Sequence, residues 1–186
     1  MIKAVILDFY GVVQTDQVIV WTEKQTAEHP NIRSAVDVAS TKLDLNEITL
    51  DEYHQELAAA VSRPVSVVEH ELENEISINH PLLEVVDQLR EEGIKTAVLS
   101  NDGSSLRAYM EGHGITRYFD EIFISGELNM MKPDARIYEY AVQQLGFEPQ
   151  KVIFFDDRQA NVDGALRAGL QSELYTSVSQ VRKQLS

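Results

Sequence analysis

The sequence contains no cysteine. That absence excludes disulfide bonds, thiol catalysis and metal sites built on thiolates. The first residues lack the basic start, long apolar stretch and small-residue cleavage site of a signal peptide, and no apolar run approaches the ~18 residues that a membrane-spanning helix needs. We therefore expect a soluble, cytoplasmic protein without a membrane partner.

Basic residues are scarce. The chain of 186 residues has 16 lysines and arginines against 30 aspartates and glutamates, which gives a net charge of -14. A field of this sign repels phosphate backbones and anionic lipids, so neither nucleic acid nor a membrane surface is an expected partner. A local basic pocket can still bind a small anion. The sequence carries no signal that sets an oligomeric state.

What the chain does have is an alternation of apolar segments and helical patterns. Short apolar runs predict strands, and the first of them is apolar at every position, as in a parallel sheet buried on both faces. The patterns between them have the apolar spacing of one helix face, and each ends at a glycine. This order indicates an α/β fold with a doubly wound parallel sheet. The predicted strands are 4–7, 94–100, 121–125, 151–155 and 173–175, and the predicted helices are 81–92, 134–145 and 161–168.

Residues 14–79 interrupt the alternation, because they are polar and mostly helical in pattern. We interpret them as a small helical lobe inserted into an α/β core of residues 1–13 and 80–186. Thr49 followed by Glu52 is the pattern of a capping box and predicts a helix start. Ser66 with Glu69 predicts a second start in the same way.

Three predicted strands end in polar residues. The first ends at Asp8, the second at Ser100 and Asn101, and the fourth at Asp156 and Asp157. In an open parallel sheet these ends meet at one edge, where such sheets bind ligands. Carboxylates from two strands are suitable oxygen ligands for Mg²⁺.

Each of these residues also has an ordinary structural interpretation. Ser100 and Asn101 can cap the helix predicted near Ser104. The two aspartates suit the positive end of the helix that follows them. Lys132, in the loop before Pro133, is by itself typical of a solvated surface lysine, although a lysine there can also neutralise a carboxylate and a phosphoryl oxygen.

Taken together, four segments resemble the haloacid dehalogenase-like hydrolase superfamily. The match spans nearly the whole chain outside the helical lobe, and the lobe resembles the small helical cap of the family's first subclass. The order and spacing of the segments make this resemblance specific for fold and site location. The segments are Asp8–Val12, Leu99–Asp102, Met131–Asp134 and Phe155–Arg158.

The resemblance implies a role for each matched residue. Asp8 would be the nucleophile and would form a covalent intermediate that water then hydrolyses. Ser100 would hydrogen-bond the transferred group, Asn101 would orient it, and Lys132 would steady the nucleophile and the developing charge. Ser100, Asn101 and Lys132, together with Tyr10, would contact the substrate.

The resemblance also implies a Mg²⁺ cofactor. Asp8 and Asp157 would hold the ion together with the backbone carbonyl of Tyr10, and Asp156 is the alternative ligand. The cation would offset the repulsion between an anionic nucleophile and an anionic phosphate.

The sequence departs from the phosphatase pattern at Tyr10. Phosphatases of the family usually carry an aspartate there, which protonates the leaving group and later activates water. A tyrosine, with an ordinary pKa of about 10, is a poor base at neutral pH. A tyrosine at this position resembles the haloacid dehalogenases, whereas the paired aspartates 156 and 157 resemble the phosphatases.

Three functions therefore stay open. The preferred one is Mg²⁺-dependent hydrolysis of a small phosphorylated metabolite through an aspartyl intermediate, because two adjacent carboxylates at a buried strand end repel each other without a cation. The second is hydrolysis of a 2-haloacid. The third is a catalytically weak protein that binds a phosphorylated ligand or a partner protein.

Overall fold

Five parallel strands form one sheet in the computed structural model, which describes residues 1–185. The strand order is β3-β2-β1-β4-β5, so the first strand lies at the centre. This arrangement confirms the predicted α/β fold with a parallel sheet. The strands are β1 (Ala4–Leu7), β2 (Lys95–Ser100), β3 (Glu121–Ile124), β4 (Val152–Asp156) and β5 (Gln171–Leu174).

The sheet register brings the polar strand ends together. Leu7 of β1 pairs with Val98 of β2 and with Phe155 of β4. The next backbone N–H, that of Asp8, donates to the Phe155 carbonyl at 2.9 Å. Asp8 therefore leaves the centre of the sheet at the level where β4 reaches its last residue, Asp156.

Helices cover both faces of the sheet, and each face has its own apolar cluster. Leu82, Met110 and Val181 belong to one cluster, whereas Ile137 and Tyr138 belong to the other. The core helices are α5 (His80–Glu91), α6 (Ser105–Gly112), α7 (Ser125–Leu128), α8 (Ala135–Leu145), α9 (Gln159–Arg167) and α10 (Val178–Leu185), with short 3₁₀ turns at Thr116–Tyr118 and Pro149–Lys151. None of the helices within residues 1–185 is long and apolar enough to cross a bilayer.

The helical lobe contains four helices around a separate apolar cluster that includes Trp21. The capping box of Thr49 and Glu52 is present as predicted. The predicted start at Ser66 is wrong, because Pro64 occupies the N-cap position and Ser66 lies inside the first turn. The four helices are α1 (Gln17–Gln25), α2 (Ile32–Asp44), α3 (Leu50–Ala60) and α4 (Val65–Asn74).

The two chain segments that join the lobe to the core run side by side. The Thr15 N–H donates to the Ser77 carbonyl at 2.9 Å, and the Asn79 N–H donates to the Val13 carbonyl at 2.8 Å. The Asn79 side chain adds a bond to the Val12 carbonyl at 3.0 Å. The chain therefore enters and leaves the lobe at one place.

The last strand differs from its predicted position. The apolar residues suggest 173–175, but β5 spans Gln171–Leu174 and pairs with β4 from Ile153 to Asp156. Its residues are exposed or half-buried because β5 is an edge strand. Hydrophobicity is a weak guide to such a strand, since backbone pairing holds it in place.

Candidate active site

A buried lysine joins two aspartates at the carboxyl end of the sheet. Lys132 Nζ lies 2.7 Å from Asp8 Oδ1 and 2.7 Å from Asp156 Oδ2. Only 2% of Lys132, 5% of Asp8 and none of Asp156 is exposed to solvent. Lys132 is therefore not a solvated surface lysine. Charges removed from water in this way require partners, and these three groups supply them to one another.

Asp156 is saturated by donors from the protein. In addition to Lys132, the Asn161 Nδ2 lies 3.0 Å from both of its oxygens, and the Arg158 N–H donates to Oδ1 at 2.8 Å. Burial favours a higher pKa for Asp156, but the Lys132 ammonium and the other donors outweigh it and lower the pKa. Asp156 stays ionised and fixes the ammonium in place, so it is a poorer candidate ligand for a metal than Asp157.

Asp8 is less fully satisfied. The Phe9 N–H donates to Oδ1 at 2.6 Å, and the Lys132 ammonium forms its ion pair with the same oxygen. The other oxygen, Oδ2, accepts no hydrogen bond from residues 1–185. Burial raises the pKa of Asp8, and the Lys132 ammonium opposes that rise only in part. One ammonium between two carboxylates leaves a net negative charge in a buried site, and the negative Asp157 lies close by.

Asp157 is the carboxylate best placed to bind a cation. It is half-buried and its side chain accepts no hydrogen bond within the described part of the chain. Burial, followed by the charge of Asp156, raises its pKa to about 6. Oxygens of Asp8, Asp156 and Asp157 all lie within 4.8 Å of one another. This all-oxygen donor set with uncompensated negative charge fits Mg²⁺.

Gly11 makes room for Asp157. Its φ of +77° suits glycine, and a Cβ built on it would lie 2.1 Å from Asp157 Oδ2.

We expect Gly11→Ala to displace the Asp157 carboxylate and weaken Mg²⁺ binding by ~10-fold or more, the scale seen when groups around a metal are disturbed. Isothermal titration with MgCl₂ measures this effect. Gly93→Ala is the matched control, since Gly93 also has a positive φ but no atom near its added Cβ; equal Mg²⁺ affinity in the two variants would contradict the prediction.

Asn101 holds the loop that carries Lys132. Its Nδ2 donates to the Lys132 carbonyl at 2.9 Å, and its Oδ1 accepts from the Lys132 N–H at 2.8 Å. The helix-capping interpretation of Ser100 and Asn101 is wrong, because α6 begins at Ser105 with Ser104 at its N-cap.

Ser100 Oγ is buried without a hydrogen-bond partner in residues 1–185. A buried hydroxyl in that state is well suited to meet a ligand.

Tyr10 forms a partly buried hydrogen bond with Asp102. The Tyr10 hydroxyl donates to Asp102 Oδ2 at 2.7 Å, and the Gly103 N–H donates to Oδ1 at 2.6 Å. Burial and the neighbouring carboxylate raise the pKa of Tyr10 well above its usual range. The phenol proton is therefore committed to Asp102.

Comparison with known proteins identifies the family. The sequence profile of the haloacid dehalogenase-like hydrolases matches residues 2–169. The chain belongs to this family. The family resemblance drawn from the four sequence segments is thereby confirmed.

Curated relatives of this haloacid dehalogenase-like chain have different activities by name. It is 27% identical over 115 residues to bifunctional epoxide hydrolase 2 of Rattus norvegicus, covering 59% of this chain and 21% of that protein. It is 29% identical over 99 residues to (S)-2-haloacid dehalogenase 4A of Burkholderia cepacia, covering 53% of this chain and 43% of that protein. It is also 29% identical over 99 residues to phosphatase MT3486 of Mycobacterium tuberculosis, covering 52% of this chain and 46% of that protein. The chain therefore spans less than half the length of each of these relatives.

A solved structure shares the whole haloacid dehalogenase-like fold. A family enzyme of Bacteroides thetaiotaomicron superimposes with a TM-score of 0.79 at 18% identity, covering 100% of this chain and 98% of the other. A second structure of it, in complex with magnesium and inorganic phosphate, gives a TM-score of 0.75 at 19% identity and 95% coverage of both chains. At this identity the likeness establishes the fold alone.

Two polar residues of this haloacid dehalogenase-like site escaped the sequence analysis as functional candidates. Asn161 looked like the start of a helix, although its position five residues after Asp156 places both at the same strand-to-helix turn. Asp102 belonged to a matched segment, but its only sequence signal was its position two residues after β2. Asp102 has a third hydrogen bond besides those with Tyr10 and Gly103, because its backbone N–H donates to Ser125 Oγ at 3.0 Å.

Proposed function

We propose that this protein is a Mg²⁺-dependent phosphatase of small phosphorylated metabolites that works through an aspartyl phosphate on Asp8. The observation that carries the proposal is the carboxylate cluster of Asp8, Asp156 and Asp157 beside a single buried ammonium. The cluster has one strong cation of its own and an excess of negative charge. A divalent ion supplied by solvent would balance that excess, with Asp8 and Asp157 as its protein ligands.

The chain's own residues support the covalent route. Asp8 Oδ1 is held by Lys132 and by the Phe9 N–H, so Oδ2 remains as the attacking atom. The attack forms a bond from Oδ2 to phosphorus while the bond from phosphorus to the leaving oxygen breaks. Ser100 Oγ, which has no protein partner, would donate to a phosphoryl oxygen, and Lys132 would stabilise charge on the transferred group. Bound Mg²⁺ would lower the repulsion between Asp8 and the phosphate.

We also propose that the helical lobe acts as a cap over this site. Its contact with the core lies next to the catalytic loops: a Cβ on Gly103 would come within 2.9 Å of Leu43 at the end of α2. A cap in this position would exclude bulk water and select the organic part of the substrate.

Hydrolysis of 4-nitrophenyl phosphate tests the proposed function. We expect release of 4-nitrophenol with MgCl₂ and at least a ~10²-fold lower rate after the metal is removed with EDTA, because the cation offsets charge repulsion in the attack. Restoring MgCl₂ in excess should restore the rate. Equal rates with and without the metal would refute the metal-dependent mechanism.

Dehalogenation is the second candidate, because Tyr10 stands where phosphatases of the family usually have an aspartate. Attack by Asp8 on carbon expels halide, a leaving group that needs no proton. Chloride release from 2-chloropropionate in the presence of EDTA would favour this activity, and its absence alongside Mg²⁺-dependent phosphate release would exclude it.

A further inference from the structure

Two side chains of the core that could give a proton to a leaving group, Lys132 and Tyr10, are already engaged by carboxylates. Lys132 is shared by two carboxylates. The Tyr10 proton is directed to Asp102, and both Asp102 oxygens accept hydrogen bonds. An alkoxide leaving group needs a proton as its bond to phosphorus breaks. We therefore look for the donor on the helical lobe, next to this edge of the sheet.

Asp44 lies at the end of α2, where the helical lobe touches the catalytic loops. Ser125 Oγ donates to the Asp44 carbonyl at 2.6 Å and accepts the Asp102 N–H at 3.0 Å. Beside it, Leu43 packs against Gly103, whose missing side chain allows the close approach. One hydroxyl therefore connects the backbone of Asp44 to the loop that follows Ser100 and Asn101.

The Asp44 carboxyl is half-buried at this junction and accepts no hydrogen bond from residues 1–185. The charged groups that act on it come from both sides of the junction: Asp102 and Lys132 in the core, Arg158 after β4, and Asp16 in the lobe. Burial, followed by the charge of Asp102, raises the pKa of Asp44 to about 7. This places its proton loss within the range that suits acid and base catalysis at neutral pH.

We propose that Asp44 is the general acid and general base of the reaction, supplied by the helical lobe in place of the aspartate that Tyr10 replaces on the core. The inference rests on the proposed phosphatase function. It also gives the lobe a chemical role, because the hydrogen bond between the Asp44 carbonyl and Ser125 holds the end of α2 beside the loop that contains Asp102.

The two half-reactions balance. In the first, Asp8 Oδ2 bonds to phosphorus, the bond from phosphorus to the leaving oxygen breaks, and the Asp44 proton moves to that oxygen. In the second, the Asp44 carboxylate takes a proton from a water molecule whose oxygen bonds to phosphorus. The bond between phosphorus and Asp8 then breaks, which releases phosphate and restores both carboxyl groups.

The test compares leaving groups of different basicity. We expect Asp44→Asn to lower kcat/KM for phenyl phosphate by ~10²–10³-fold, the usual contribution of a general acid. The loss for 4-nitrophenyl phosphate should be much smaller, because nitrophenolate leaves without a proton. The second half-reaction should also slow, which would appear as a rapid burst of about one equivalent of nitrophenol followed by a slow steady rate.

Matched controls separate catalysis from folding. Asp37→Asn removes an exposed carboxylate from the same helix and should leave kcat/KM for both substrates unchanged.

A carboxyl whose pKa is raised by folding favours the folded state at low pH, and this favourable contribution is lost as the pH rises through about 7. Asp44→Asn should therefore have a Tm at least equal to that of the unaltered protein at pH 8, with a smaller advantage at pH 5.

The outcomes distinguish the two proposals. Mg²⁺-dependent cleavage with a selective loss for phenyl phosphate in Asp44→Asn supports the assignment. Mg²⁺-dependent cleavage whose kcat/KM is unchanged in Asp44→Asn, or is lowered by the same factor for both substrates, overturns it while the phosphatase function stands. Failure of the unaltered protein to cleave either ester with Mg²⁺ overturns both.

Discussion

Replacing Asp8 by Asn is expected to lower kcat for phosphate release by on the order of 10⁴-fold or more, the scale seen when a covalent nucleophile is removed. The amide keeps the shape of the side chain but cannot form the covalent intermediate. Steady-state assays with 4-nitrophenyl phosphate and MgCl₂ measure the loss. Asp8→Asn should also form no acid-stable phosphoprotein after a brief incubation with substrate.

The control for this variant is Asp163→Asn, which alters an exposed carboxylate on α9 and should leave kcat unchanged. A folded Asp8→Asn protein with full activity would remove Asp8 from the role of nucleophile. Folding is expected to persist, because burial already raises the pKa of Asp8 and a neutral group is tolerated there better than at Asp156.

Replacing Lys132 by Met is expected to destabilise the protein by ~3–5 kcal/mol, because it leaves buried carboxylates without their cation. For a chain of this size the change corresponds to a fall in Tm of about 10 °C. Activity should be lost as well, since the nucleophile loses its orienting partner. Thermal unfolding followed by circular dichroism measures this change in Tm.

The pH dependence identifies the cause of that destabilisation. Without the ammonium, the pKa of Asp156 is expected to rise, so protonation at low pH should relieve the unpaired charge. The deficit in Tm should therefore shrink as the pH falls from 8 towards 5. Lys151→Met, which alters an exposed lysine, serves as the control. A deficit that is the same at both pH values would show that lost packing, rather than unpaired charge, explains the effect.

The parts of the site that lie on strands were predictable from the sequence. Apolar runs that end in Asp8, Ser100 and Asp156 define strand ends, and a parallel sheet brings those ends to one edge. The structure places Asp8 and Asp156 around one lysine there. Lys132 required the family resemblance, because a single lysine in a loop has no pattern of its own.

The remaining contacts depend on tertiary structure that the sequence does not encode locally. Tyr10 and Asp102 are separated by 92 positions and meet only because β1 and β2 are adjacent. Asp44 lies 81 positions before Ser125 and reaches it through the packing of the lobe. The wrong start at Ser66 has a local cause, since Pro64 occupies the N-cap with an extended backbone and the helix begins at the next residue.

The pairing of the two connecting segments has a consequence for engineering and for divergence. Because Val13 and Asn79 are hydrogen-bonded neighbours, the two ends of the inserted segment already lie next to each other in the core. Exchanging the segment for another of different length should therefore change the loop-closure entropy of the core by little. We therefore expect the α/β core to accept a different insert at this place without a change in sheet register.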